Sequence, residues 1–182
     1  IVTHAEAHMA VNQGRIDVHH HIIPPAFAEE MARRGLDNVA GAPLPAWSPQ
    51  HSIDLMDTHG IQVALTSLSA PGVYFGDRQA AVTLARRCND FAADMRERNP
   101  GRFGNFAVLP TPFADLAAAE AGHALDTLGA DGVVLRNRYD LAEDRGRPLS
   151  RAIDYAIATA LERVLTDNGS EFVGSWNAAT DS

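Results

Sequence analysis

Four short runs of aliphatic and β-branched residues alternate with amphipathic stretches, and that alternation confines the chain to an α/β fold built on a parallel sheet. The runs are residues 15–21, 61–68, 103–109 and 132–135. Pro24-Pro25 ends the first run and opens a helix predicted over 26–34. Residues 35–49 are rich in Gly, Pro and Ala and form a loop ending in Trp47-Ser48-Pro49. Ser52 and Asp54 then precede Ile53, Leu55 and Met56, predicting a short helix to His59 that stops at Gly60. The longest helix is predicted over 77–98, where Ala81, Leu84, Ala85, Cys88, Phe91, Ala92 and Met95 recur at intervals of three and four. A further helix over 112–128 carries Leu116, Ala119, Ala124, Leu125 and Leu128 on one stripe and ends at Gly129. The order is β-α-α-β-α-β-α-β, with right-handed crossovers between parallel strands.

A chain of 182 residues is long enough for one domain with a real core. A complete (β/α)8 barrel takes about 250 residues, so a barrel reading of this chain is a reading of part of a barrel. The formal net charge of −8 disfavours a nucleic-acid surface. One cysteine, Cys88, excludes a disulfide scaffold, and its place in an amphipathic run reads as core. No apolar run approaches the ~18 residues that cross a bilayer. Residues 1–14 lack a basic start and an apolar centre, and read as a tail. The expectation is a cytoplasmic protein with no membrane or nucleic-acid partner.

The chemistry concentrates in Asp17-Val18-His19-His20-His21, at the end of the first predicted strand. Residues i and i+2 of a strand point the same way, so His19 and His21 present two imidazoles to one ion while His20 points elsewhere. Imidazole suits zinc and neighbouring transition metals. Catalytic groups in barrels stand at the carboxyl ends of strands, where this pair lies. On spacing alone, three adjacent solvent-exposed histidines are the more ordinary reading, because His-x-His is short and recurs by chance.

The run from Arg15 to Pro25 resembles the opening of the amidohydrolase-related enzymes, among them aminocarboxymuconate-semialdehyde, methylsalicylate and resorcylate decarboxylases. Similar blocks follow in order at Trp47-Ser48-Pro49, 52–61, 66–73, Asn89-Asp90, 99–103 and 128–135, so the resemblance spans about residues 14–140. It implies a partial (β/α)8 TIM barrel, an α/β fold of which this chain carries the first four βα units. It also implies that His19 and His21 are ligands of a divalent ion, most often zinc, with manganese as an option. The activity implied is non-oxidative decarboxylation of a small aromatic or conjugated carboxylic acid, with hydrolysis by the same superfamily as the alternative. The family supplies a further histidine after the fifth strand and an essential Asp after the eighth. Neither has a counterpart here, so no catalytic residue is assigned. The chain is expected to be inactive alone, and a non-catalytic metal-binding relic is the remaining alternative.

Substrate-side candidates are fewer. Arg136, past the fourth strand, would grip a carboxylate if it faces the barrel mouth, and is a solvent loop residue otherwise. Ser67 and Ser69 end the second strand, as pocket lining or as turn caps. Trp47 is either a pocket wall or loop packing. His51, His59 and His123 read as ordinary surface or core histidines. Residues 141–182 read as a separate segment with helical spacing over 149–161, and residues 161–172 resemble the central block of integrase-core transposases, with Asp167 at its metal-binding position. A gene interruption or frameshift is the origin this suggests. Strands left open halfway round a barrel are expected to expose an edge and to self-associate.

Overall fold

The computed structural model describes residues 14–39 and 42–134, together with the backbone of the short strand Val164–Leu165. Leu135, Arg136, the helix read over 149–161 and Asp167 lie outside the described residues.

The elements are β1 (Arg15–Ile22), α1 (Pro25–Arg33), a two-residue hairpin pair β2 (Asn38–Val39) and β3 (Ala42–Pro43), α2 (Pro49–His59), β4 (Ile61–Leu68), α3 (Arg78–Arg98), β5 (Phe103–Val108), α4 (Ala114–Gly122), β6 (Gly132–Val134) and β7 (Val164–Leu165). The main sheet runs β1-β4-β5-β6-β7, and every pairing in it is parallel. This is the predicted α/β architecture, the opening arc of a β/α barrel. Helices α1, α2 and α3 start where the sequence provides a start, whereas α4 follows Phe113 without a side-chain cap. Pro25 stands at the head of α1, the Ser48 hydroxyl accepts from His51 N–H at α2, and the Asp77 carboxylate accepts from Ala80 N–H at α3. Gly60 ends α2 at φ 63°, a left-handed turn that a side chain would strain. The helix expected as one piece over 112–128 begins at Ala114 and passes after Gly122 into a wider π turn, His123–Thr127.

The helices cover one face of the sheet. Ile22, Met56, Ala64, Ala92, Met95 and Phe103 form one buried cluster between β1, β4, β5 and helices α2 and α3. Ile23, Phe27, Met31, Leu68, Leu84, Cys88 and Val108 form another at the carboxyl ends of the strands. Ala107, Leu109, Ala117, Ala121, Ala124 and Val133 form a third beneath α4. The other face is less covered. Ile16 and Val18 on β1 are 60% and 65% exposed, and Val63 and Leu65 on β4 are half-buried. On this face the apolar side chains of β1 thus stand in water and those of β4 are partly covered. Val108 on β5 and Val134 on β6 are buried. Gly104 packs so tightly on this sheet that an added Cβ would stand 2.3 Å from Leu65 Cδ2.

Candidate metal centre

β1 does not run as a regular strand. Asp17 lies opposite Ala64 and His20 opposite Thr66, so Val18 and His19 together face the single residue Leu65. The extra residue makes a β-bulge, which bends the strand and leaves one residue without a ladder partner. Asp17 stabilises it locally: one carboxylate oxygen accepts the backbone N–H of His19 at 3.0 Å.

Beyond the bulge the three histidines separate. The Nε2 atoms of His19 and His21 approach to 3.0 Å, with the rings edge-to-face at 78°. His19 is exposed and His21 half-buried, at the carboxyl end of the strand. Two nitrogens each about 2.1 Å from one ion lie about 3.0 Å apart at a right angle and about 3.4 Å apart at a tetrahedral one. At 3.0 Å the two nitrogens are close enough to share one divalent ion. His21 is oriented from behind, because its Nδ1 lies 3.2 Å from Ser67 Oγ on β4. A bond there leaves Nε2 facing His19, the usual division of labour between the two nitrogens of a ligating imidazole. Among the described residues no third His, Cys, Asp or Glu joins the pair.

His20 turns the other way and is buried. Its Nδ1 lies 2.9 Å from Asp17 Oδ2 and its Nε2 2.8 Å from Ser52 Oγ on α2. Ser52 Oγ in turn accepts the indole N–H of Trp47 at 2.9 Å. Burial alone would raise the Asp17 pKa, but the bonds from His20 and from His19 N–H, with the charges of both rings, hold the carboxyl below its ordinary value.

Trp47 packs between two of the core clusters, with its ring edge-to-face to Phe91 at 6.1 Å. Ser69 sits just past β4, its N–H donating to Ile22 O. His51 and His59 are exposed, and His123 Nε2 stands 3.8 Å from Asp90. Sequence reasoning missed Ser52 and the supporting place of Ser67 behind His21. An Asp two residues before a histidine is the local signal for a side chain that bonds the backbone at i+2, and it would have located the bulge.

Parallel β/α units with a histidine pair at the carboxyl end of the first strand are the arrangement of an amidohydrolase-class barrel. The amidohydrolase family model matches residues 16–164, and the chain belongs to that family. It is 48% identical over 130 residues to decarboxylase yanB of Aspergillus niger, a match covering 69% of this chain and 35% of that protein. It is 41% identical over 127 residues to 6-methylsalicylic acid decarboxylase acuB of Aspergillus aculeatus, covering 69% of this chain and 38% of that protein. Among solved structures, a dihydroxybenzoic acid decarboxylase from a Polaromonas species, with bound manganese and the inhibitor 2-nitroresorcinol, is similar at a TM-score of 0.55 and 25% identity, covering 80% of this chain and 46% of that one. The chain thus spans less than half the length of each of these relatives. The family match continues past Asp140. Nothing in these matches supports the integrase-like resemblance of residues 161–172.

Proposed function

We propose that this chain forms the metal-binding front of a divalent-metal-dependent decarboxylase acting on a small hydroxylated aromatic acid. The observation that carries the reading is the convergence of His19 and His21 at 3.0 Å, with Ser67 bonded behind His21. The relatives named decarboxylase supply the reaction class. The manganese of the Polaromonas structure favours manganese as the ion, with zinc the alternative that imidazole ligands also suit. A bound ion would supply Lewis acidity toward the oxygens of the acid.

The chain's own residues hold the neutral imidazoles and wall one side of the mouth. Ser69 lies at the strand end next to Ile22 and is the described candidate for touching substrate, with Arg136 proposed as the carboxylate grip. Trp47 acts from behind β1, since its indole N–H is engaged by Ser52. The remaining ligand and the proton-transfer group are not found among the described residues. No helix there is long and apolar enough to cross a membrane.

The test is metal titration of the purified chain with manganese and zinc by chelator competition, alongside the His19→Ala/His21→Ala pair. Binding of one ion per chain that disappears in the double variant supports the centre. Incubation with 6-methylsalicylate and 2,6-dihydroxybenzoate, followed by CO2 release, tests the reaction class. Equal metal binding by wild type and double variant would sink the reading.

A further inference from the structure

His20, the middle histidine, takes no part in the proposed ion site, yet it is the most buried of the three and is bonded at both nitrogens. With a neutral ring, its partners are all satisfied by one direction of hydrogen bonding. The Trp47 indole has only a donor, so Ser52 Oγ accepts there. The single Ser52 hydroxyl proton is then free to be given to His20 Nε2 at 2.8 Å. An accepting Nε2 places the proton of a neutral imidazole on Nδ1, which donates to Asp17 Oδ2 at 2.9 Å. All four side chains run one way: Trp47 to Ser52 to His20 to Asp17.

The terminal carboxylate is also the group that holds the bulge, through His19 N–H at 3.0 Å. Asp17 and His20 are three apart, a spacing that alternation would place on opposite faces of a regular strand. Only the extra residue brings them to one side. The Asp17–His20 bond therefore depends on the bulge. Ser52 with His20 and Asp17 also has the order of a nucleophilic triad. Ser52 is 3% exposed and its oxygen is occupied by Trp47, so it meets no substrate.

We propose that His20 is a positioning residue: the Trp47–Ser52–His20–Asp17 chain clamps the β1 bulge from the helical side and so sets the spacing and angle of His19 and His21 on the other. Resting on the metal-centre reading above, this adds a set of residues, two of them on the α1–α2 loop and α2, that control an ion they do not touch.

The experiment uses the full chain as wild type, Ser52→Ala and His20→Gln, titrated with Co²⁺ by visible absorption, with urea midpoints as the fold control. Folded Ser52→Ala is expected to bind Co²⁺ about tenfold more weakly, the low end of what losing a direct partner of a metal ligand costs, because Ser52 acts through His20 and not on a ligand itself. Its saturated spectrum is expected to change as the angle between the two imidazoles relaxes. An unchanged affinity and spectrum in a folded variant overturns the proposal. Should Ser52→Ala not fold, Trp47→Phe removes the terminal N–H donor along with part of a packed ring, and with its own urea midpoint as control it carries the same two expectations. Should the wild type bind no ion, the metal-centre reading fails by itself. The clamp is then judged by ¹⁵N-histidine spectra. Protonated Nδ1 on His20, with His19 and His21 ring signals displaced in Ser52→Ala, supports it, and undisplaced signals overturn it.

Discussion

Asn89 stands in for a missing strand at Val108. Its side-chain oxygen accepts Val108 N–H at 2.9 Å and its amide donates to Val108 O at 3.0 Å. The β4–β5 ladder extends only to the pair Thr66–Asn105, so the backbone of Val108 would otherwise be buried without a partner on that side. The same amide donates to the buried carboxylate of Glu120, which is paired with Arg86. The strands are therefore allowed to part toward their carboxyl ends, at the end of the sheet where the histidine pair stands.

Removing that substitute strand leaves two buried backbone groups unsatisfied. Asn89→Ala is expected to lower stability by about 2–4 kcal/mol, given about 1–3 kcal/mol for each stranded polar group. Urea unfolding followed by circular dichroism measures it. A loss below about 0.5 kcal/mol would show that water or a backbone shift replaces the amide. Asn89→Asp is expected to be no better, because it keeps the acceptor for Val108 N–H but sets a second carboxylate against Glu120.

Ser67 is the one side-chain partner assigned above to His21 Nδ1. Ser67→Ala is expected to weaken metal binding about tenfold or more with little change in stability, and Ser67→Thr, which keeps the hydroxyl, is expected to restore it. Chelator competition on the two variants is the measurement. Loss of binding in both would point to packing at this position instead of the hydroxyl.

Much of this arrangement was legible beforehand, and the rest was not for identifiable reasons. The strand over 61–68 and the helix beginning beside Asp77 follow from local pattern, since periodicity and capping are properties of neighbours in sequence. The opposite directions of His20 and its two neighbours follow from alternation. The bulge was not expected, because Asp17-Val18-His19 has none of the glycine that marks many bulges. Ser52 was seen only as a helix-start residue, because its partner His20 is 32 positions away. Trp47 was read as wall or packing, and only the tertiary fold shows its ring between two clusters.

Cys88 illustrates burial acting on a titratable group. Desolvation pushes its thiol up to about 12, against a smaller opposing pull from Arg87. The thiolate is the reacting form, so native chain at pH 8 is expected to resist iodoacetamide, with labelling only in denaturant. Mass spectrometry of the labelled protein decides it. Rapid native labelling would mean that α3 opens locally.

Glu30 ties the end of α1 to Arg33 and Arg34, and the hydrogen bond from Arg33, with that from Arg34 and both charges, lowers its pKa from 4.5 to about 2 despite partial burial. A carboxyl whose folded pKa is depressed contributes stability that is present above its unfolded value and lost as pH falls toward the folded one. The wild type is therefore expected to lose this contribution between about pH 4.5 and pH 2. Glu30→Gln should be less stable at neutral pH and flatter across that window. Urea midpoints at pH 5, 4 and 3 measure the difference. Parallel curves for the two proteins would show that the ion pair contributes nothing, as many surface pairs do.

Among the described residues β1 pairs only with β4, and Ile16 and Val18 stand 60% and 65% exposed on it. An apolar edge strand is a template for another chain, and a charge on it is the usual means of preventing that. The purified chain is expected to self-associate with rising concentration, and Val18→Lys to shift it toward monomer without altering the helical layer. Sedimentation velocity over a hundredfold concentration range would show a rising weight-average coefficient for wild type and a constant one for the variant. If the wild type is instead monomeric throughout, the outer edge of β1 must be covered from within its own chain, and exposure of Ile16 and Val18 then overstates their contact with water.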